Sequence, residues 1–229
     1  MINKDENCVN CAFRTEICKY LNQEDFSELN DSSVVTHFHK GEIIINQGEE
    51  LNSIVYLSSG LVKLEHVSGN KQIQIPALIK GPALLCGNYQ ISGMHNLMSA
   101  VAIEETDVCM INIGILRNRM KQNAQFAMTI MEMLSMYHQR VFEKQLTLSC
   151  KRVPGRIAGM LILFMEKFYN TDEFSLPLSR RELSQLANCS EENVIRTLSS
   201  FEKDGIIQLS GKSVRIIDAG RLHKIYDLG

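Results

Sequence analysis

The chain has 229 residues, a formal net charge of -2 and 45% hydrophobic residues. That is enough apolar material for one large or two modest globular domains, and the balance excludes a generally basic nucleic-acid coat protein. Residues 1–25 are polar and charged with no apolar run of signal-peptide type, and the apolar stretch Met128–Met136 is interrupted by Glu132 and Ser135 and too short for a bilayer. A cytoplasmic protein without a membrane partner is therefore expected, and its seven cysteines read as metal or redox chemistry rather than a disulfide scaffold.

The first predicted part, residues 1–25, is a cysteine segment. Cys8 and Cys11 are separated by two residues, and Cys18 follows. A thiolate pair at that spacing can hold one metal or cluster from a single turn, but three thiolates leave a four-coordinate site one ligand short. Cys86, Cys109, Cys150, Cys189 or a histidine could supply the fourth. From Phe26 to Val35 a short helix and turn are predicted. From His37 to about Ile113, β-branched runs alternate with Gly41, Gly48, Gly60, Gly69 and Gly81, the pattern of an antiparallel barrel or jelly roll.

From Ile115 to Leu148 no Gly or Pro interrupts the chain. Met120, Ala124, Ala127, Met131, Leu134, Met136, Val141 and Leu148 recur mostly at helical spacing, which predicts one long helix with a partner helix on its apolar stripe, as in a parallel dimer. Arg152-Val153-Pro154-Gly155 ends it as a hinge, and Arg156–Phe168 is a further amphipathic helix.

The most informative stretch is Leu178–Ile207. Ser179 and Glu182 have capping-box spacing, and Leu183 and Leu186 make an apolar face. Ala187-Asn188-Cys189 is a turn, Ser190 is a second N-cap, and Val194, Leu198 and Phe201 share one face of a second helix that Gly205 ends. Ile206–Leu209 and Val214–Ile217 flank a Ser210-Gly211-Lys212 turn as a hairpin. This is a winged helix-turn-helix, whose second helix can enter a DNA major groove. Glu192 and Arg196 project together off its core face; Arg can bind guanine bidentately and Glu can accept from cytosine, whereas the plain alternative is an i,i+4 salt bridge. Arg180 and Arg181 suit phosphate contacts.

The order of barrel, long helix, hinge and winged helix-turn-helix resembles the Crp/Fnr superfamily of bacterial transcription regulators. KGEIIINQGEELNSIVYLSSGLVKL is similar to its β-roll signature and LPLSRRELSQLANCSEENVIRTLSSFEKDGII to its DNA-binding signature. The resemblance implies an α+β fold: a cyclic-nucleotide-binding-like β-roll (jelly roll) at 26–114, a dimerisation helix at 115–150 and the DNA-binding domain at 151–229. It implies double-stranded DNA with a palindromic site, RNA polymerase and a second copy of the chain as partners. DNA contacts are then expected from Arg180, Arg181, Ser190, Glu192, Ile195, Arg196 and Lys212, with Ile195 replacing a Ser usual in Fnr-type proteins.

The effector is the variable part of such proteins. In the segment resembling the cyclic-AMP site no Glu follows Gly87, and Met98 stands before Ser99 where an Arg would pair the phosphate, so cyclic AMP is not expected. The Fnr-type branch instead holds a [4Fe-4S] cluster, and Cys8, Cys11, Cys18 and Cys109 are similar to its four ligands; zinc or a thiol switch at these cysteines is the alternative. Haem, with His66, His95 or Met94 as axial ligand, is another. Cys86, Cys150 and Cys189 are expected to be buried small hydrophobes. No enzyme is expected: no Ser–His–Asp set or carboxylate pair stands out, and Cys8–Cys11 lacks the βαβ context of a thiol oxidoreductase.

Overall fold

The computed structural model describes residues 18–86, 93 and 95–229; Cys8, Cys11, Met94 and the Gly87-Asn88-Tyr89 stretch lie outside the described residues. The chain divides into two compact units, Met1–Gln72 with Ala77–Arg140, and Ile73–Pro76 with Val141–Gly229.

The first unit begins with a 3-10 turn, Cys18–Tyr20, and helix α1, Gln23–Asp31. Asn22 caps α1 by accepting from the Asp25 N–H at 2.8 Å. This helix lies three residues earlier than its predicted start at Phe26, because the cap is at Asn22. Val34 and Val35, predicted as part of the helix and turn, instead open strand β1 (Val34–Phe38), in keeping with the β preference of branched side chains.

Seven strands follow: β2 (Ile43–Ile45), β3 (Ser53–Ser59), β4 (Leu61–Val67), β5 (Ile73–Lys80), β6 (Ala83–Cys86), β7 (Ser99–Ala102) and β8 (Thr106–Asn112). They form two four-stranded sheets, in the orders β1-β8-β3-β6 and β2-β7-β4-β5. Ile44, Val55, Leu57, Val62, Leu64, Leu85, Ala100 and Val108 make the inner core of this roll. Alternate residues of the same strands point the other way: Ile54 and Tyr56 of β3 and Ile111 of β8 join a second, outer core with Leu29 of α1. β3 is thus buried on both faces, which explains its unbroken apolar run Ile54–Leu57. Gly60, at φ +98°, turns β3 into β4 against the Glu105 carbonyl and Thr106, with no room for a Cβ.

The predicted single helix at 115–148 is two. α2 spans Ile113–Gln122 and α3 spans Ala124–Cys150. Asn123 between them is extended, at φ −129° and ψ 100°. Its side chain accepts from the Phe126 N–H at 3.0 Å, capping α3. Ile113, Leu116, Phe126 and Ile130 fill the outer core.

The second unit continues from α3 through Arg152 into α4 (Val153–Ile162), with Pro154 in its first turn. The helix goes on as a π-helix, Leu163–Tyr169. Strand β9 (Glu173–Ser175), helices α5 (Arg180–Ala187) and α6 (Glu191–Lys203), strands β10 (Ile207–Ser210) and β11 (Ser213–Ile216), and helix α7 (Ala219–Leu228) complete it. The sheet order is β10-β11-β9; β9 and α7 were not anticipated. Among the described residues no helix is long and apolar enough to cross a membrane.

Candidate nucleic-acid interface and cysteine site

The helix-turn-helix forms as its caps dictate. Ser179 Oγ accepts from the Glu182 N–H at 3.2 Å, and Glu182 Oε2 accepts from the Ser179 N–H at 2.8 Å. Asn188 closes α5 in the left-handed region at φ 51°, a conformation Asn tolerates. Ser190 Oγ then accepts from the Asn193 N–H at 3.2 Å and starts α6. Val194, Leu198 and Phe201 are buried, and Gly205, at φ 69°, turns the chain into β10.

Arg156 holds the two helices' turn in place, a role that its position on α4 does not disclose in the sequence. Its Nη1 donates to the carbonyls of Ala187 at 3.2 Å and Asn188 at 3.0 Å, and its Nε donates to the Lys151 carbonyl at 2.8 Å. A cation on the last carbonyls of α5 also complements the helix dipole. Burial pushes the neighbouring Cys189 thiol up from its ordinary value, and Arg156 offsets part of that. Its thiolate is disfavoured, which makes Cys189 a poor metal ligand.

Opposite the buried face, Glu192, Ile195 and Arg196 are exposed; Ile195 presents half its surface to solvent at 50% exposure. The i,i+4 salt bridge between Glu192 and Arg196 is not formed. Arg196 Nη2 instead donates to Asn193 Oδ1 at 2.5 Å, which leaves the Glu192 carboxylate outward. Ser190 sits at the same end of α6, its hydroxyl already engaged as the cap. Arg181 is exposed, and Arg180 is half-buried with Nη2 3.4 Å from the Gly211 carbonyl of the wing turn. Burial lowers the Arg180 pKa from its ordinary value, though a guanidinium remains charged. Lys212 is exposed at the wing tip, where its carbonyl accepts from the Leu176 N–H at 2.9 Å.

In the first unit, Cys109 lies on β8, paired with Val35 of β1 and Tyr56 of β3. It is half-buried and packs on the outer core beside α1, α2 and the start of α3. Leu21, three residues after Cys18, packs on the same core. The turn between them is tied down: Asn123 Nδ2 donates to the Tyr20 carbonyl at 2.9 Å. Arg119 of α2 pairs with Asp25 and Glu28 of α1. Cys150, expected to be buried, is exposed near the end of α3.

Around the segment resembling a nucleotide site, Met98 packs on the inner core. Ser99 Oγ accepts from the Gln47 N–H at 3.0 Å. His66 Nδ1 lies 3.0 Å from the Leu97 carbonyl, and His95 is exposed.

The expected helix stripe also changes membership. Met120 and Leu134 pack on the outer core, and the Leu148 side chain lies outside the described ones. Among the described residues, the exposed large apolar side chains of α3 are Met128, Met131, Met136, Val141, Phe142 and Leu146. At 3.6 residues per turn, Met128, Met131, Phe142 and Leu146 fall within an arc of about 60°, opposite the buried Phe126 and Ile130.

Residues 35–123 match a cyclic nucleotide-binding domain, and residues 155–225 match a Crp-like helix-turn-helix domain. The chain is 28% identical over 228 residues to the transcriptional activator protein FnrA of Stutzerimonas stutzeri, covering 94% of this chain and 91% of that one. It is 25% identical over 223 residues to the anaerobic regulatory protein of Aggregatibacter actinomycetemcomitans, covering 94% and 86%. The solved structure of FixK2 from Bradyrhizobium japonicum superposes with a TM-score of 0.74 at 22% identity, covering 84% of this chain and 96% of that chain.

Proposed function

We propose that this chain, which belongs to the Crp/Fnr superfamily of DNA-binding transcription regulators, acts as a homodimer that answers oxygen, redox state or nitric oxide through a [4Fe-4S] cluster. Cys8, Cys11, Cys18 and Cys109 would hold that group, an all-thiolate set suited to iron and sulfide. When bound, it supplies oxygen- and nitric-oxide-sensitive redox chemistry.

The observation that carries the reading is the shared core under Cys109 and Leu21. The segment leaving Cys18 runs over the sheet face on which Cys109 lies, and of the described thiols Cys109 alone lies there. The name of the anaerobic regulatory protein among the relatives supports the same signal. RNA polymerase belongs to the proposal as a partner, because FnrA is named an activator.

The remaining work falls to the chain's own residues. Asn123 joins the Cys18–Tyr20 turn to α3, since one amide donates to Tyr20 and accepts from Phe126. A displacement of that turn therefore reaches the first turn of the helix proposed to dimerise. The Met128/Met131/Phe142/Leu146 stripe would pack on its copy, and two α6 helices would then meet two half-sites of a palindrome about one DNA turn apart.

The test is anaerobic purification followed by absorption spectroscopy with iron and sulfide analysis. A brown protein that bleaches in air is expected. A Soret band would assign haem instead, and a colourless zinc-loaded protein would overturn the cluster. Each of Cys8→Ala, Cys11→Ala, Cys18→Ala and Cys109→Ala is expected to lose anaerobic DNA binding; retention in all four would refute the mechanism.

A further inference from the structure

A second set of ligating side chains lies on the first unit, apart from any cysteine. His37 is on β1 and His39 follows two residues later, so the period of an extended chain brings both rings to one side. Their centroids are 5.1 Å apart and the rings meet edge to face. Glu105 comes from the turn before β8, next to Thr106, which pairs with Phe38. Its Oε2 lies 2.8 Å from His37 Nε2 and 2.9 Å from His39 Nδ1. One nitrogen from each ring and one carboxylate oxygen are thus all within 4.8 Å of one another.

These ligands are oriented by a further layer. His37 Nδ1 is 2.8 Å from Asp107 Oδ1, and Asp107 Oδ2 accepts from Ser59 Oγ at 2.9 Å. A carboxylate on the far nitrogen is the usual partner of a metal-bound imidazole: it fixes the ring and raises its basicity. The backbone beneath is also fixed. Thr106 is fully buried, the β3–β4 turn at Gly60 sits against the Glu105 carbonyl, and the His39 N–H donates to Glu42 Oε2 at 2.6 Å. Hydrogen bonds to Asp107 and then Glu105 raise the His37 pKa from its ordinary value.

We propose that His37, His39 and Glu105 form a surface site for a divalent transition-metal ion, with Asp107 as its orienting residue. The two-nitrogen, one-oxygen donor set suits zinc, cobalt, nickel or copper and is a poor match for calcium or magnesium, which prefer all-oxygen shells. A metal ion needs an unprotonated nitrogen from each ring, so any proton on the coordinating atoms leaves to solvent on binding. The two carboxylate–imidazole pairs are already near the spacing an ion requires. Ligands about 2.0–2.1 Å from a tetrahedral zinc are roughly 3.3 Å apart, against 2.8–2.9 Å here. His39 is 72% and Glu105 61% exposed, so these side chains can open by that amount. The same exposure leaves the fourth position to water.

Zinc binding to the full chain tests this, in a background of Cys8→Ser, Cys11→Ser, Cys18→Ser and Cys109→Ser so that thiolate sites do not contribute. After chelator treatment and dialysis against zinc chloride, one zinc per chain is expected beyond that of a His39→Ala variant. Cobalt(II) at this site is expected to give d–d bands without thiolate charge transfer. Asp107→Asn should weaken binding by about 10- to 100-fold. His39 lies outside the strand and is exposed, so His39→Ala leaves the fold intact, with circular dichroism as the check. Equal zinc uptake by the parent and His39→Ala, or thiolate bands from the cobalt form, would overturn the site. Because the four proposed cluster ligands are absent, neither result bears on the proposed cluster.

Discussion

Arg196 and Asn123 show how much one side chain can carry. Arg196 is held by Asn193 rather than by Glu192, so the guanidinium is ordered without neutralising the carboxylate beside it. Arg196→Ala is expected to cost about 1–3 kcal/mol at one guanine of the half-site while leaving preferences at other positions unchanged. Binding to a panel of singly substituted palindromes measures this, and a uniform loss on every sequence would mean a phosphate contact instead. Asn123 has two separable roles. Asn123→Ala removes the α3 cap and should destabilise the chain by about 1 kcal/mol in urea unfolding. Asn123→Asp keeps the cap acceptor but loses the donor to Tyr20, so stability should hold while the difference between aerobic and anaerobic DNA affinity shrinks. An unchanged difference would remove Asn123 from the proposed route. Ser179, Ser190 and Gly205 were readable from sequence because caps are local. Arg156 was not, since its partners at Ala187 and Asn188 are set by folding.

At the scale of elements, β3 and α3 make opposite points. The Ile54–Leu57 run reads as a strand in the sequence, but only the structure shows that α1, α2 and α3 cover its second face. For α3, absence of Gly and Pro suggested continuity with α2; a side-chain cap at Asn123 broke it without either residue. Met120 and Leu134 pack on the outer core, whereas Met128, Phe142 and Leu146 are exposed. Phe142 is 65% exposed, the most of any apolar side chain described on this helix. Phe142→Glu should place a charge in the proposed seam and raise the dimer dissociation constant by roughly 100-fold, the equivalent of about 3 kcal/mol. Sedimentation velocity would detect the monomer, and a dimer of undiminished affinity would move the seam elsewhere.

For the whole molecule, the succession of β-roll, helical stretch and winged helix-turn-helix was readable from periodicity and punctuation along the chain. The two-sheet strand order, β9 and α7 depend on distant pairings that no local pattern encodes. Among the described side chains of α3, Leu134 is the last that packs on the outer core, and from Ser135 to Cys150 all are exposed except Thr147. A helix of that length with its described side chains exposed gains little from them in water, so under the proposed dimerisation the second copy would add to its order. Folding of this stretch and assembly then become one equilibrium, and each tenfold dilution weakens it by about 1.4 kcal/mol. The number of copies made per cell would be an input to the switch alongside whatever chemistry reaches its cysteines.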